Sequence, residues 1–165
     1  MQNNELLPTI LAIRPGSRKM GLAVFEGMEL VFWGVAGLRN IEPEKILDAV
    51  EHRLRSLIET YGPTVIAIEK PSITREKTCP LLEDILVRIS RTTLDAMLYY
   101  QLYSLPTVKD RLCHTRRATR QDMIQKVIAS YPHLSRYTGK VSKWQEAYWM
   151  PMFAAVALGM TCIQK

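Results

Sequence analysis

Along the 165 residues the spacing of apolar positions changes several times, and each change marks an element. Thr9–Ile13 is apolar throughout after Thr9, as expected of a strand buried on both faces. Pro15-Gly16-Ser17 follows as turn chemistry, because proline fixes φ and glycine admits angles other residues avoid. Gly21–Phe25 is a second apolar run, Gly27 closes a short turn, and Leu30–Val35 is a third run, rich in Val, Phe and Trp. Three such strands joined by short loops predict a meander.

The period then lengthens. From Glu42-Pro43 to about Tyr61, Ile46, Leu47, Val50, Leu54, Leu57 and Ile58 fall on one helical face. Asn40 or Glu42 is placed to cap this helix, and Gly62-Pro63 stops it. Thr64–Glu69 reads as a fourth buried strand, so the helix before it is a crossover onto a parallel neighbour. Beyond the polar loop Pro71–Pro80, apolar anchors predict a long helix over about Leu81–Leu102 and a fifth strand at Thr107–His114. Thr115 or Thr119 caps a further helix through Ser130, and Tyr131–Lys143 reads as a loop. A last helix runs from near Trp144 towards Ile163, interrupted by Pro151. The order predicts a single α/β domain over residues 1–165. Its five-stranded mixed sheet combines a three-strand antiparallel meander with two parallel strands, and helices cover both faces.

Composition adds little until charge is considered. Hydrophobic residues make up 47% and charged residues 23%, as in ordinary globular chains. No uninterrupted apolar run reaches the roughly 18 residues of a membrane helix, and MQNNELLP lacks the features of a signal peptide. The expectation is a cytoplasmic protein with no membrane partner. Cys79, Cys113 and Cys162 are odd in number and show no metal-ligand spacing, so reduced, structural cysteines are expected. A net charge of +6 with pI ≈ 9.3 fits a polyanionic partner.

The cations cluster. Ser17, Arg18 and Lys19 occupy the first turn, and Lys70, Arg75 and Lys77 follow Glu69. Lys109, Arg111, Arg116, Arg117 and Arg120 surround the expected junction of the fifth strand with the next helix. All are candidate phosphate contacts. Arg14 follows the first strand and Glu69 ends the fourth, and where those two strands are parallel neighbours the charges form a paired, partly buried contact. Trp144, Tyr148 and Trp149 either stack on bases or pack in the core, and packing is the expectation for tryptophan.

Four stretches together carry a resemblance that spans nearly the whole chain. ILAIRPGSRKMGLAVFE resembles the first hairpin of the RuvC-type Holliday-junction resolvases, within the RNase H-like superfamily. TVIAIEK resembles that family's fourth strand, LPTVKDRLCHTRRATRQDMIQKVIASYP its fifth strand and basic helix, and MPMFAAVALGM its final helix. The resemblance implies an RNase H-like fold and phosphodiester hydrolysis by two Mg²⁺ ions. The acids that hold those ions end the first and fourth strands and stand on the last helix. Here the first-strand place is Arg14, and Glu69 alone is retained. On the last helix the acids' places fall at Trp149 and Met152, or two residues on at Pro151 and Ala154, and none is a carboxylate. Glu146, the one acid on that helix, stands a turn before Trp149.

A Mg²⁺ ion needs several oxygen ligands, so the implied reading is a protein without a cofactor. It would bind four-way-junction or double-stranded DNA as a homodimer, close to the nucleoid and to other recombination proteins, without cleaving it. Two alternatives stand beside this one: an active Mg²⁺-dependent junction endonuclease with relocated acids, and an interaction protein that retains only the fold.

Overall fold

The computed structural model describes residues 7–71, 79–139 and 142–164. Strands β1 (Thr9–Arg14), β2 (Lys19–Glu26), β3 (Glu29–Gly37), β4 (Val65–Lys70) and β5 (Tyr99–Ser104) form one sheet in the order β3-β2-β1-β4-β5. β1, β2 and β3 pair antiparallel, while β4 runs parallel to β1 and β5 parallel to β4. The meander and the crossover read from the apolar pattern are both present. Among the described residues, five α-helices join the sheet: α1 (Ile46–Tyr61), α2 (Pro80–Asp95), α3 (Leu105–Cys113), α4 (Arg120–Ser130) and α5 (Lys143–Ile163).

Alternation along the strands sorts side chains into two cores. Leu11, Ile13, Leu22, Val24, Ile66 and Ile68 face α1 and α2, where Leu54, Ile85 and Ile89 are fully buried. Ile10, Ala12, Ala23, Phe25 and Ala67 face the other way, onto α5, α3 and α4. Glycines permit α5 to lie close to the sheet. A Cβ on Gly21 would sit 1.7 Å from the carbonyl oxygen of Pro151, and one on Gly159 would sit 2.0 Å from the Phe25 ring.

Pro151 has no N–H to give the carbonyl of Ala147 one turn back, and Lys19 fills that gap: its Nζ donates to Ala147 O at 3.0 Å. α5 has the length and hydropathy of a membrane span, yet it packs along the sheet with 61% of its most apolar window buried.

Two elements differ from the sequence expectation. The helix expected over Leu81–Leu102 ends at Asp95, and Tyr99–Ser104 is instead the edge strand β5. Met97, at φ 58°, turns the chain in a left-handed conformation with no glycine or proline to mark the break. The expected fifth strand Thr107–His114 is instead α3 and its end. Ser104 caps that helix by accepting from the Thr107 N–H at 3.3 Å, Pro106 stands in its first turn, and His114 closes it at φ 59°. Lys109 and Arg111 therefore lie on a helix rather than a strand. The expected loop after Tyr131 contains a 3-10 turn at Pro132–Tyr137. The three cysteines are free thiols, and Cys162 is buried.

Candidate functional site

The site lies at the C-terminal ends of β1 and β4, on the face covered by α5. Strand periodicity brings it together. Arg14 has the parity of Ile10 and Ala12, Glu69 that of Ala67, and Lys19 and Gly21 that of Ala23 and Phe25, so all four face α5. One residue beyond the Ile13–Ile68 pair, Arg14 Nε and Glu69 Oε2 stand 3.3 Å apart. The pair is lopsided, with the Arg14 side chain 37% exposed and that of Glu69 12%.

Burial pushes the Glu69 carboxyl above its usual range, because desolvation outweighs the opposing pull of the Arg14 guanidinium and of Arg120. Burial, with Arg14 and Arg39 nearby, pulls the Lys19 ammonium down. Tyr103 stands beside Glu69 on β5 and is buried, its hydroxyl donating to Gln101 at 2.6 Å. Its phenol is pushed up to about 12, by burial first, and supplies no anion near neutral pH.

Two clefts share this floor. The first, of about 450 Å³, is lined by Arg14, Lys19, Glu69 and Arg120, and by Lys143, Glu146, Pro151 and Ala154 along α5. The second, of about 430 Å³, extends over Ser17, Arg18 and Lys70. Four cations thus face two carboxylates in the first cleft, and Glu146 is held by Gln121, which donates to it at 2.7 Å. The capping box of Thr119 and Asp122 starts α4 so that Arg120 points into both clefts.

Of the residues singled out in the sequence, Arg14, Ser17, Arg18, Lys19, Glu69, Lys70 and Arg120 are gathered here. Lys109 and Arg111 stand apart on α3, where Arg111 lies 5.6 Å from the Tyr103 ring centre. Arg116 and Arg117 are exposed in the turn before α4, and neither lines either of these two clefts. Arg75 and Lys77 lie outside the described residues. Sequence reasoning missed Lys143, although the Ser142–Gln145 capping box marks the helix start that carries it.

No protein-family model and no curated protein matches the chain. Solved structures do share its architecture. The Thermus thermophilus RuvC structure is similar over 93% of this chain and 92% of that one, with a TM-score of 0.73 and 16% identity. T. thermophilus RuvC in complex with Holliday junction substrate is similar over 93% and 91%, also with a TM-score of 0.73 and 16% identity. The yeast mitochondrial Holliday junction resolvase is similar over 98% and 81%, with a TM-score of 0.70 and 13% identity. The chain has the RuvC fold.

The Mg²⁺ pair implied by resemblance to RuvC-type resolvases can now be tested against the donors. On α5, Pro151 and Ala154 line the cleft, whereas Met152 is fully buried and Trp149 packs on Tyr137 with ring centres 4.4 Å apart. Of the two placements of the helix acids, Pro151 and Ala154 is therefore the one that faces the site, and neither residue has a metal-binding side chain. Among the described residues no group of three or more His, Cys, Asp or Glu side chains converges. Glu69 is already paired with the fixed charge of Arg14. Among the described residues, the donors at this cleft do not fit a pair of Mg²⁺ ions.

The raised Glu69 carboxyl has a consequence for stability. A group whose folded pKa is raised gives a contribution that is full below its ordinary value of 4.5 and is lost as pH rises through the folded value. Glu69→Gln does not titrate. Relative to this variant, wild type is expected to lose stability as pH rises from below 4.5. The difference in melting temperature between the two proteins should therefore move in the variant's favour as pH rises from below 4.5 towards 7. Thermal melts across that range check this, and parallel pH profiles for the two proteins would overturn it.

Proposed function

We propose that this chain binds four-way-junction or double-stranded DNA as a homodimer and does not cleave it. The observation that carries the reading is the Arg14–Glu69 pair at the place where resemblance to RuvC-type resolvases puts a metal-holding acid. A guanidinium there suits a DNA phosphate in place of a cation. Arg18, Lys19, Lys70, Arg120 and Lys143 surround it, so backbone contacts dominate affinity and binding weakens steeply with salt. The similar T. thermophilus protein solved with Holliday junction substrate supports a junction as the DNA form. The homodimer reading draws on the α2–β5 edge, where Leu94, Met97, Tyr99 and Leu102 are exposed. A place inside the cell beside recombination or repair proteins follows from such a substrate.

A second reading has one observation in its favour. Glu146 lines the same cleft as Glu69, so one acid at the family's place and one relocated acid share the site. Labelled four-way junctions incubated with and without Mg²⁺ separate the readings. On native gels a retarded band is expected, with intact strands on denaturing gels. Arg14→Asp is expected to leave the strands intact as well, because Pro151 and Ala154 still offer no ligand. Mg²⁺-dependent nicks by wild type would overturn the proposal in favour of the second reading. Absence of a retarded band at low salt would leave an interaction protein that retains only the fold.

A further inference from the structure

Two aromatic side chains at the start of α5 are left outside the core. Trp144 is 85% exposed and Tyr148 is 43% exposed. They stand four residues apart, so they share one face of the helix. That face adjoins the stripe of Lys143, Ala147 and Pro151 that lines the first cleft. Trp149 does pack as expected, but Trp144 does not.

A single exposed aromatic is ordinary. This pair differs in its support and its neighbours. Tyr148 is fixed edge-on by Trp149, at 4.9 Å and 90°, and Trp149 in turn packs on Tyr137. Trp33 Nε1 donates to the Tyr137 hydroxyl at 3.1 Å, so the Tyr148 ring is backed by a chain of packed aromatics. Lys19 joins the two features. Its Nζ lies over one face of the Tyr148 ring, 5.2 Å from the ring centre, and donates to Ala147 O, while the same side chain lines both clefts. An aromatic face bordered by cations matches the two halves of a nucleotide: the base stacks and the phosphate meets positive charge.

We infer that Trp144 and Tyr148 form a stacking platform for an unpaired nucleobase whose phosphate lies in the Lys19–Lys143 cleft. The inference rests on the DNA-binding reading above and adds to it a preference. Inside a continuous duplex both faces of every base are covered by its neighbours, so an indole finds a free base only at a bulge, a gap, an end or a branch point. The platform therefore favours DNA that carries such a base over fully paired DNA.

The probe is a DNA duplex with one bulged 2-aminopurine, compared with the same duplex fully paired. Wild type is expected to bind the bulged form about tenfold more tightly, the equivalent of about 1.4 kcal/mol for one stacked base. Stacking should also quench the 2-aminopurine fluorescence. Trp144→Ala is expected to lose that preference and the quenching while binding the paired duplex as wild type does, and Trp144→Phe should retain most of both. The exposure of Trp144 makes these substitutions compatible with folding, which circular dichroism checks. A Trp144→Ala protein with the wild-type preference would overturn the platform and leave the DNA-binding reading intact. If Trp144→Ala instead turns a dimer into a monomer in sedimentation with its preference unchanged, a second copy of the chain covers this face and the platform is equally overturned. Failure of wild type to bind either duplex at low salt would overturn both readings together.

Discussion

Replacing Arg14 by Gln and Arg120 by Ala together is expected to lower affinity for junction or duplex DNA about 50-fold at 0.1 M salt, and to flatten the salt dependence by about two units. The size follows from counterion release. Each phosphate neutralised contributes about 0.9 to the slope of log affinity against log salt, so two lost contacts remove about 1.8 log units at 0.1 M. Arg14 and Arg120 are chosen because both line both clefts, one carried by β1 and the other by α4. Glutamine at 14 keeps a hydrogen-bond donor for Glu69, whose carboxylate is largely buried. Arg116→Ala with Arg117→Ala removes the same charge from outside the clefts and is expected to cost less. Fluorescence anisotropy titrations from 50 to 300 mM salt (roughly the range over which such slopes are read) give affinity and slope from one data set. Lost affinity with an unchanged slope would mean that the arginines shape the site without neutralising phosphate.

The half of the site built on strands was legible in the sequence, because strand geometry is simple. A period of two fixes which face a residue takes, so knowing that Arg14 and Glu69 end adjacent parallel strands is nearly enough to pair them. The helical half was not legible. From Met152 to Cys162 every α5 residue except Ala154 is buried, so hydrophobic period could not say which side faces the cleft. Two placements of the missing acids stayed open until the structure set Pro151 and Ala154 on the cleft wall.

The misplaced fifth strand has a local cause. Leu94, Leu98 and Leu102 continue the four-residue spacing of α2 straight through a turn that Met97 makes without glycine. A short edge strand, YYQLYS, in which only Tyr103 is buried, gives little apolar signal against that spacing. The start of α3 did carry a readable signal, a serine two residues before a proline, which is a cap followed by a first-turn proline.

Gly21→Ala should be the most damaging single-methyl substitution in the molecule. The added Cβ would meet Pro151 O at 1.7 Å and Pro151 C at 2.3 Å, and both partners are backbone. Neither side yields easily. Gly21 is held between Arg14 of β1 and Val35 of β3, inside the sheet. Pro151 lies in the middle of a 21-residue helix whose other contacts hold one of the two cores. Relief requires α5 to retreat by more than 1 Å or so, opening gaps beneath Met152 and Val156, and close-packed interiors tolerate this poorly. The expected cost is about 3 kcal/mol, which for a chain of this size lowers Tm by about 10 °C. Because Lys19 anchors to Ala147 and Glu146 stands on the same helix, the same retreat distorts the cleft, so DNA affinity should fall alongside Tm. Gly37→Ala is the control: a Cβ there meets nothing within 4 Å, and its melting point should stay close to that of wild type. Equal melting points for the Gly21 and Gly37 variants would show that α5 can ride higher on the sheet, and would undo the account of Gly21 as the residue that lets the helix lie close to it.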